Sequence, residues 1–274
     1  MIADITAIID NAEEATDFID AASSLADAQN AHLTIVVFND IIATINTLAP
    51  DDDPSSGFDK IGRVETGLIE AVRERLSKTQ RSFEVRAITD TPGFLSGAAR
   101  VEGRYADMLL MGPASAYRTL KLRRRCVEAA LMGGSGPVLM LPDRARPARF
   151  RHAVLGWDAS AEARRAAREL CTTLDKGAQI DIAVVDPETN SSHGGEPGSD
   201  IARHLARHGF DVETHRLSSV GSDVSRVIEE FALGRGADLL AIGGFAHSRV
   251  RDILLGGVTR DYLASTKLPV MLAR

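Results

Sequence analysis

The sequence predicts an α/β protein built from two copies of one doubly wound unit, each a mainly parallel five-stranded sheet with helices on both faces. Two observations carry this. Short apolar runs that read as buried strands alternate with helical segments, the pattern of a parallel sheet covered on both sides. The pattern also recurs. Asp10-Asn-Ala-Glu-Glu-Ala matches Asp158-Ala-Ser-Ala-Glu-Ala at an offset of 148. AHLTIVVFND from Ala31 matches AQIDIAVVDP from Ala178 at 147, and ADMLLMG from Ala106 matches ADLLAIG from Ala237 at 131. A period that long means duplicated domains; solenoid units run to only about 20–50 residues. The expected domains are 1–143 and 152–274, joined by a linker at 144–151 within PDRARPARFR, whose prolines and arginines interrupt the apolar pattern.

In the first copy, strands are expected at 5–9, 32–38, 83–89, 106–112 and 137–141. Asn11 and Glu14 have the spacing of a capping box for a helix reaching about Ala28. Further helices are expected at about 59–76, 93–101 and 119–132. In the second copy, strands are expected at 152–157, 178–185, 211–217 and 239–242, with PVML as the last. Ser160 reads as the N-cap of a helix to Leu174. Helices follow at about 201–208, 223–233 and 249–265. A polar, glycine-rich loop spans 188–200. Gly243 and Gly244 are expected to turn the backbone with positive φ.

The composition is that of a soluble globular protein, 44% hydrophobic and 26% charged. Net charge is −6, which offers no general attraction to nucleic acid. Residues 1–143 hold 14 basic and 21 acidic side chains, and residues 144–274 hold 18 and 17. No apolar run approaches the ~20 residues of a membrane span, and no signal peptide is visible. A cytoplasmic protein, with neither nucleic acid nor membrane as partner, is the expectation. Cys126 and Cys171 form no CxxC pair, and no Cys/His metal spacing is seen. Cys126 follows Arg123, Arg124 and Arg125, which would lower its thiol pKa if they faced it; an inert thiol is the plainer reading.

The stretch ADLLAIGGFAHSRVRDILLGGVTRDYLASTKLPVMLAR, from Ala237, reads as strand, glycine turn, helix, strand. Such a unit leaves backbone N–H groups at a strand's C-terminal end and a helix N-terminus, where anions bind. With the Asp ending each copy's first strand, VVDP at 184–187, HSR, LLGG and the closing PVML, the chain resembles a tandem universal stress protein, of the adenine-nucleotide α-hydrolase-like fold. The resemblance covers nearly the whole chain. Nucleotide-binding members carry G-x-x-G, nine residues, then G followed by Ser or Thr. Gly243 and Gly256 keep the first and third positions. Ala246 replaces the second glycine and Gly257 the hydroxyl residue.

Carried over residue by residue, the resemblance implies that Asp158 holds the adenosine end and Val184 packs on the base. Gly243, Ala246 and Gly256 would face ribose and phosphates. His247, Ser248 and Arg249 would add donors and charge, and Thr259 would stand in for the hydroxyl missing at Gly257. The ligand would be ATP or AMP, with Mg accompanying ATP. Alternatively, these glycines serve only tight turns and close helix–sheet packing. The first copy departs further: Pro113 follows Gly112, Ser115 replaces the second glycine and Arg125 the third. Arg118, Lys121 and Arg123 to Arg125 form a basic run there, read either as an anion grip or as a solvated helix face.

No P-loop, dinucleotide fingerprint or nucleophile elbow is present, and no catalytic or metal-binding residue is expected. His193 and His247 lie near the expected ligand loops without an evident partner. The resemblance implies a stress-associated regulatory protein that binds nucleotide without efficient turnover. A scaffold acting through unidentified protein partners and a slow ATP hydrolase are the alternatives. Members of the family commonly pair through the last strand, which implies an intramolecular pseudo-dimer of the two domains and leaves room for a homodimer.

Overall fold

The computed structural model describes residues 2–47, 57–77, 79, 82–133, 136–147, 149–187, 196–244, 262 and 266–274. Each repeat contributes five strands. Those of the first are β1 (Asp4–Ile9), β2 (His32–Asp40), β3 (Phe83–Asp90), β4 (Met108–Met111) and β5 (Val138–Met140). Those of the second are β6 (His152–Gly156), β7 (Gln179–Val185), β8 (Asp211–Leu217), β9 (Leu239–Gly243) and β10 (Val270–Ala273). The helices are α1 (Thr16–Gln29), α2 (Ile41–Thr47), α3 (Gly57–Leu76), α4 (Pro92–Glu102) and α5 (Leu120–Gly133) in the first repeat. In the second they are α6 (Ala161–Thr173), α7 (Ser199–Arg207) and α8 (Val224–Arg235). Among the described residues no helix is long and apolar enough to cross a membrane.

The chain divides into two compact bodies. One comprises Ile2–Gly136 with Asp143–Arg146, the other Pro137–Pro142 with Pro147–Arg274. In the first body the strands run β3-β2-β1-β4, all parallel. In the second the order is β5-β10-β9-β6-β7-β8. Here β5, the last strand of the first repeat, pairs antiparallel with β10, and every other pairing is parallel. In each body the strand order reverses beside the repeat's first strand, between β1 and β4 and between β6 and β9. Ligands of open parallel sheets collect at such points, beyond the strands' C-terminal ends.

The inner strands are largely apolar because both sheet faces are covered there. All six residues of Leu33–Phe38 are buried, as are Ile180, Ile182 and Val184. The repeated Ala-Asp opening β4 and β9 has a shared purpose. Asp107 accepts the N–H groups of Ala3 (2.7 Å) and Asp4 (3.1 Å), and Asp238 accepts those of Arg151 (2.9 Å) and His152 (3.2 Å). Each aspartate thereby locks the start of its neighbouring first strand, whose edge N–H groups would otherwise lack acceptors.

Several sequence readings change. The capping box at Asn11 and Glu14 does not form: α1 starts at Thr16, Ala15 is the N-cap, and no side chain caps it. A turn intervenes, closed by Ala15 N–H on Asn11 C=O (2.9 Å), while the Asn11 side chain reaches toward Ser115 C=O (3.5 Å). Ser160 does cap α6, accepting from Ala163 N–H at 3.1 Å. After β2, α2 occupies Ile41–Thr47, opened by Asp40 accepting from Ile42 N–H (2.9 Å). Gly243 lies in β9 without positive φ. Cys171, which the apolar spacing of its helix would place in the core, is only half-buried. The expected helix at 249–265 and most of the loop at 188–200, with His193, fall outside the described residues, except Tyr262 and the loop's last five positions.

Candidate strand-end sites in the two repeats

Asp158 follows β6 at the second body's reversal point. Its carboxylate accepts the Ser160 N–H at 2.9 Å, closing a short turn in which Ala159 takes φ 59°. That turn delivers the chain into α6, and Asp158 remains exposed. The neighbouring strand end is also tied by a carboxylate. Asp186, at φ 43°, accepts the Ser219 N–H at 3.1 Å and the Ser219 hydroxyl. Those hydrogen bonds hold the Asp186 carboxyl below its ordinary range.

Gly243 closes β9 against α6. A Cβ built there would stand 2.6 Å from the Ala163 nitrogen and 2.7 Å from the Glu162 carbonyl carbon. Backbone cannot retreat as a side chain can, so glycine is required at this approach. This gives Gly243 a packing role in its own right. Val184 is 1% exposed and covered by the turn into α7, where a Cβ at Gly198 would fall 3.2 Å from its Cγ2. It is a core residue here, not an open wall for a base. Ala246, His247, Ser248, Arg249, Gly256, Gly257 and Thr259 lie outside the described residues.

The first repeat treats the equivalent place differently. Asp10 follows β1 and is 5% exposed. A 3-10 turn at Ala114–Ala116 folds over it. Arg118 N–H donates to the Asp10 carboxylate at 2.7 Å, Asp10 N–H to Ala116 C=O at 3.2 Å, and the Tyr117 hydroxyl to Ile8 C=O at 2.5 Å. Burial lifts the Asp10 carboxyl to about 6 against the pull of Arg118, with Asp40 adding repulsion. Gly112 is needed beneath this cap: its Cβ would lie 2.7 Å from that of Ala116 and 2.9 Å from the Phe18 ring.

The basic run splits by orientation. Arg118, Lys121 and Arg125 are exposed, but Arg123 is 2% exposed and its Nε donates to Gly112 C=O at 2.8 Å. Burial lowers the Arg123 pKa. The run is therefore neither a uniform anion grip nor a uniform solvated face. Cys126 is fully buried and its thiol is pushed up to about 12 by burial. The neighbouring arginines do not activate it.

A polar cluster that periodicity did not reveal sits within the strands of the second body, away from those strand ends. Asp181, 0% exposed in the middle of β7, accepts from Arg235 Nε (2.7 Å) and faces His152 Nε2 (2.8 Å) and His215 Nε2 (3.3 Å). Arg235 also reaches Glu213 at 2.8 Å. Burial pushes the Asp181 carboxyl upward, but the bonds from Arg235, His152, Gln179 and His215 prevail and hold it at about 2. The sequence signal is a lone carboxylate inside the apolar run QIDIAVV, which is stable only if partnered. Asp181, Glu213 and His215 have ligand atoms within 4.8 Å of one another. The Arg235 guanidinium lies on both carboxylates and already balances one of their two charges.

Residues 149–274 match the model of the universal stress protein family. No curated protein matches the chain. Among solved structures, a universal stress protein from Archaeoglobus fulgidus DSM 4304 is similar over 99% of this chain and 96% of its own, with a TM-score of 0.70 at 14% identity. A protein of unknown function from Pseudomonas aeruginosa PAO1 is similar over 99% of this chain and 92% of its own, with a TM-score of 0.57 at 14% identity. At these identities the likeness shows the fold, and it extends through both repeats.

Proposed function

Since its second half, residues 149–274, belongs to the universal stress protein family, we propose that this chain is a stress-associated regulatory protein that takes an adenine nucleotide in its second repeat only. The observation that carries this reading is the exposure of Asp158 beside the β6/β9 reversal, where its first-repeat counterpart Asp10 is sealed. A carboxylate at that place accepts hydroxyl hydrogens of a ribose. The phosphates would extend toward Gly243, the positions from Ala246 to Arg249, and Gly256, Gly257 and Thr259, where backbone N–H groups and Arg249 would supply positive potential. Val184, closed over by Gly198, is left out of the contact set. ATP would bring Mg; AMP needs none. Holding phosphate electrostatically requires no catalytic base, so the reading is binding without efficient turnover, in a cytoplasmic setting. Protein partners and a homodimer remain part of the proposal, and neither nucleic acid nor membrane does.

Calorimetric titration of ATP and AMP, with and without magnesium, tests it. Saturable binding is expected, lost in Asp158→Ala and kept in Asp10→Ala. Ala246→Gly with Gly257→Ser should tighten it. No heat at millimolar nucleotide would leave the scaffold reading in its place, and phosphate release above a matched blank over hours would make the chain an enzyme.

A further inference from the structure

Helix α7 buries Ile201 and Leu205 and turns the rest of its surface outward. His204 and His208 stand four residues apart on the exposed side, one turn above the other. Their ring centroids are 4.7 Å apart, with the planes tilted by 59°. His208 is the C-cap, in helical conformation, its N–H donating to Leu205 C=O at 3.0 Å. Both imidazoles are therefore carried on ordered backbone.

From this spacing we infer that His204 and His208 form a two-imidazole site for a divalent transition cation of the zinc, nickel or copper type. The geometry is the argument. A metal bonds imidazole nitrogen at about 2.0–2.1 Å. With ring centroids roughly 1.1–1.2 Å behind those nitrogens, nitrogen–metal–nitrogen angles of about 90–110° put the centroids about 4.5–5.2 Å apart. The observed separation of 4.7 Å falls inside that window. Imidazole suits zinc, nickel and copper; magnesium and calcium take oxygen ligands. The site is thus chemically separate from any magnesium that would accompany ATP. Water fills the remaining coordination positions of an exposed pair.

Neighbouring charge is compatible with a cation. Arg203, next to His204 in sequence, is paired with Asp200. Arg207, between the two histidines in sequence, is exposed, and the high dielectric of water weakens its repulsion of a bound cation. The second histidine-containing cluster, at Asp181, is a poorer host because Arg235 already lies against both of its carboxylates.

The test is titration of zinc chloride, then nickel chloride, into the full chain in a non-coordinating buffer, followed by calorimetry and by the histidine ring proton resonances. One cation per chain is expected, released by a chelator, with the His204 and His208 resonances moving together. His204→Ala and His208→Ala should each weaken binding by about tenfold or more, at least the cost of disturbing a ligand's support, and the double variant should abolish it. Both positions are exposed, so an unchanged melting temperature would confirm folding. Binding unaffected by the double variant would assign the cation to the Asp181 cluster or elsewhere and overturn the inference. So would the absence of zinc and nickel binding at hundreds of micromolar, or equal competition by magnesium.

Discussion

Asp10 and Asp158 hold the same place in the two repeats, each ending its first strand at the reversal of strand order. Asp10 is roofed by the Ala114–Ala116 turn and gripped by Arg118 N–H, whereas Asp158 is exposed and spends a carboxylate oxygen on the turn into α6. A carboxylate without water access is costly to ionise, and an exposed one is not. Duplication thus kept the scaffold and let the two strand ends diverge. The strand interiors diverged too: Asp181, with its ring of partners, matches Thr34, a neutral buried residue. The lesson is that a repeated fold fixes where polar groups are placed, while the covering loops decide whether they meet solvent.

The largest expected effect bears on the second of these contrasts. Asp181→Ala leaves Arg235, His152 and His215 facing a void, and should cost about 3 kcal/mol in urea unfolding, as breaking a buried pair does. Thr34→Ala should cost about 1 kcal/mol. Equal losses would mean that the cluster is no more than ordinary packing.

Next come the glycines under the two strand ends. Gly243→Ala drives a methyl into the α6 backbone and should cost about 2–3 kcal/mol. Gly112→Ala meets side chains, which can shift, and should cost nearer 1 kcal/mol. The reverse order, by denaturant midpoint, would show that the first repeat is the tighter of the two.

A smaller effect distinguishes the aspartates by pH. The folded pKa of Asp10, about 6, lies above its ordinary 3.8. Its protonation therefore favours the folded state, and stability from this group rises as pH falls from about 6 toward 3.8 and is lost as pH rises through 6. Asp181 acts with the opposite sign: held near 2, it contributes above 3.8 and is lost as pH falls toward 2. Asp10→Asn should remove the gain between pH 6 and 4, read as melting temperature against pH. An unchanged profile would mean that Asp10 is hydrated.

The smallest effect is expected at the exposed aspartate. Asp158→Asn should alter stability by less than about 0.5 kcal/mol and act only on nucleotide titration. A large stability loss would make Asp158 a structural residue and weaken the proposed function.

Strand and helix order was legible because apolar runs and their repeats report burial on two sheet faces. Even the edge strand Asp211–Leu217 falls at its expected residues. The failures lie where side chains act across the fold. Asn11 and Glu14 have capping spacing, but the turn after β1 shifts the helix start. Gly243 was read as a turn glycine, whereas its demand comes from α6, 80 residues earlier in sequence. Arg123 looked like one charge in a surface run, yet its Nε satisfies Gly112 C=O in the core. Asp181 stood visibly inside an apolar strand, but its partners come from β6, β8 and α8, and no spacing rule joins them.

The antiparallel pairing of β5 with β10 carries a consequence in time. Leu139 is made 132 residues before its ladder partner Met271. At about 5–20 residues per second of synthesis, β5 waits roughly 7–26 s for that partner. During this interval the strand is complete but its sheet is not, so the nascent chain offers an apolar edge to whatever is nearby, including β5 of another nascent copy. The second body can close only after β10 emerges, which makes the end of the second repeat the timekeeper for the end of the first. Stalling synthesis before residue 270 and probing Pro137–Pro142 with protease would show this segment cleavable, and protection there before β10 is made would contradict it.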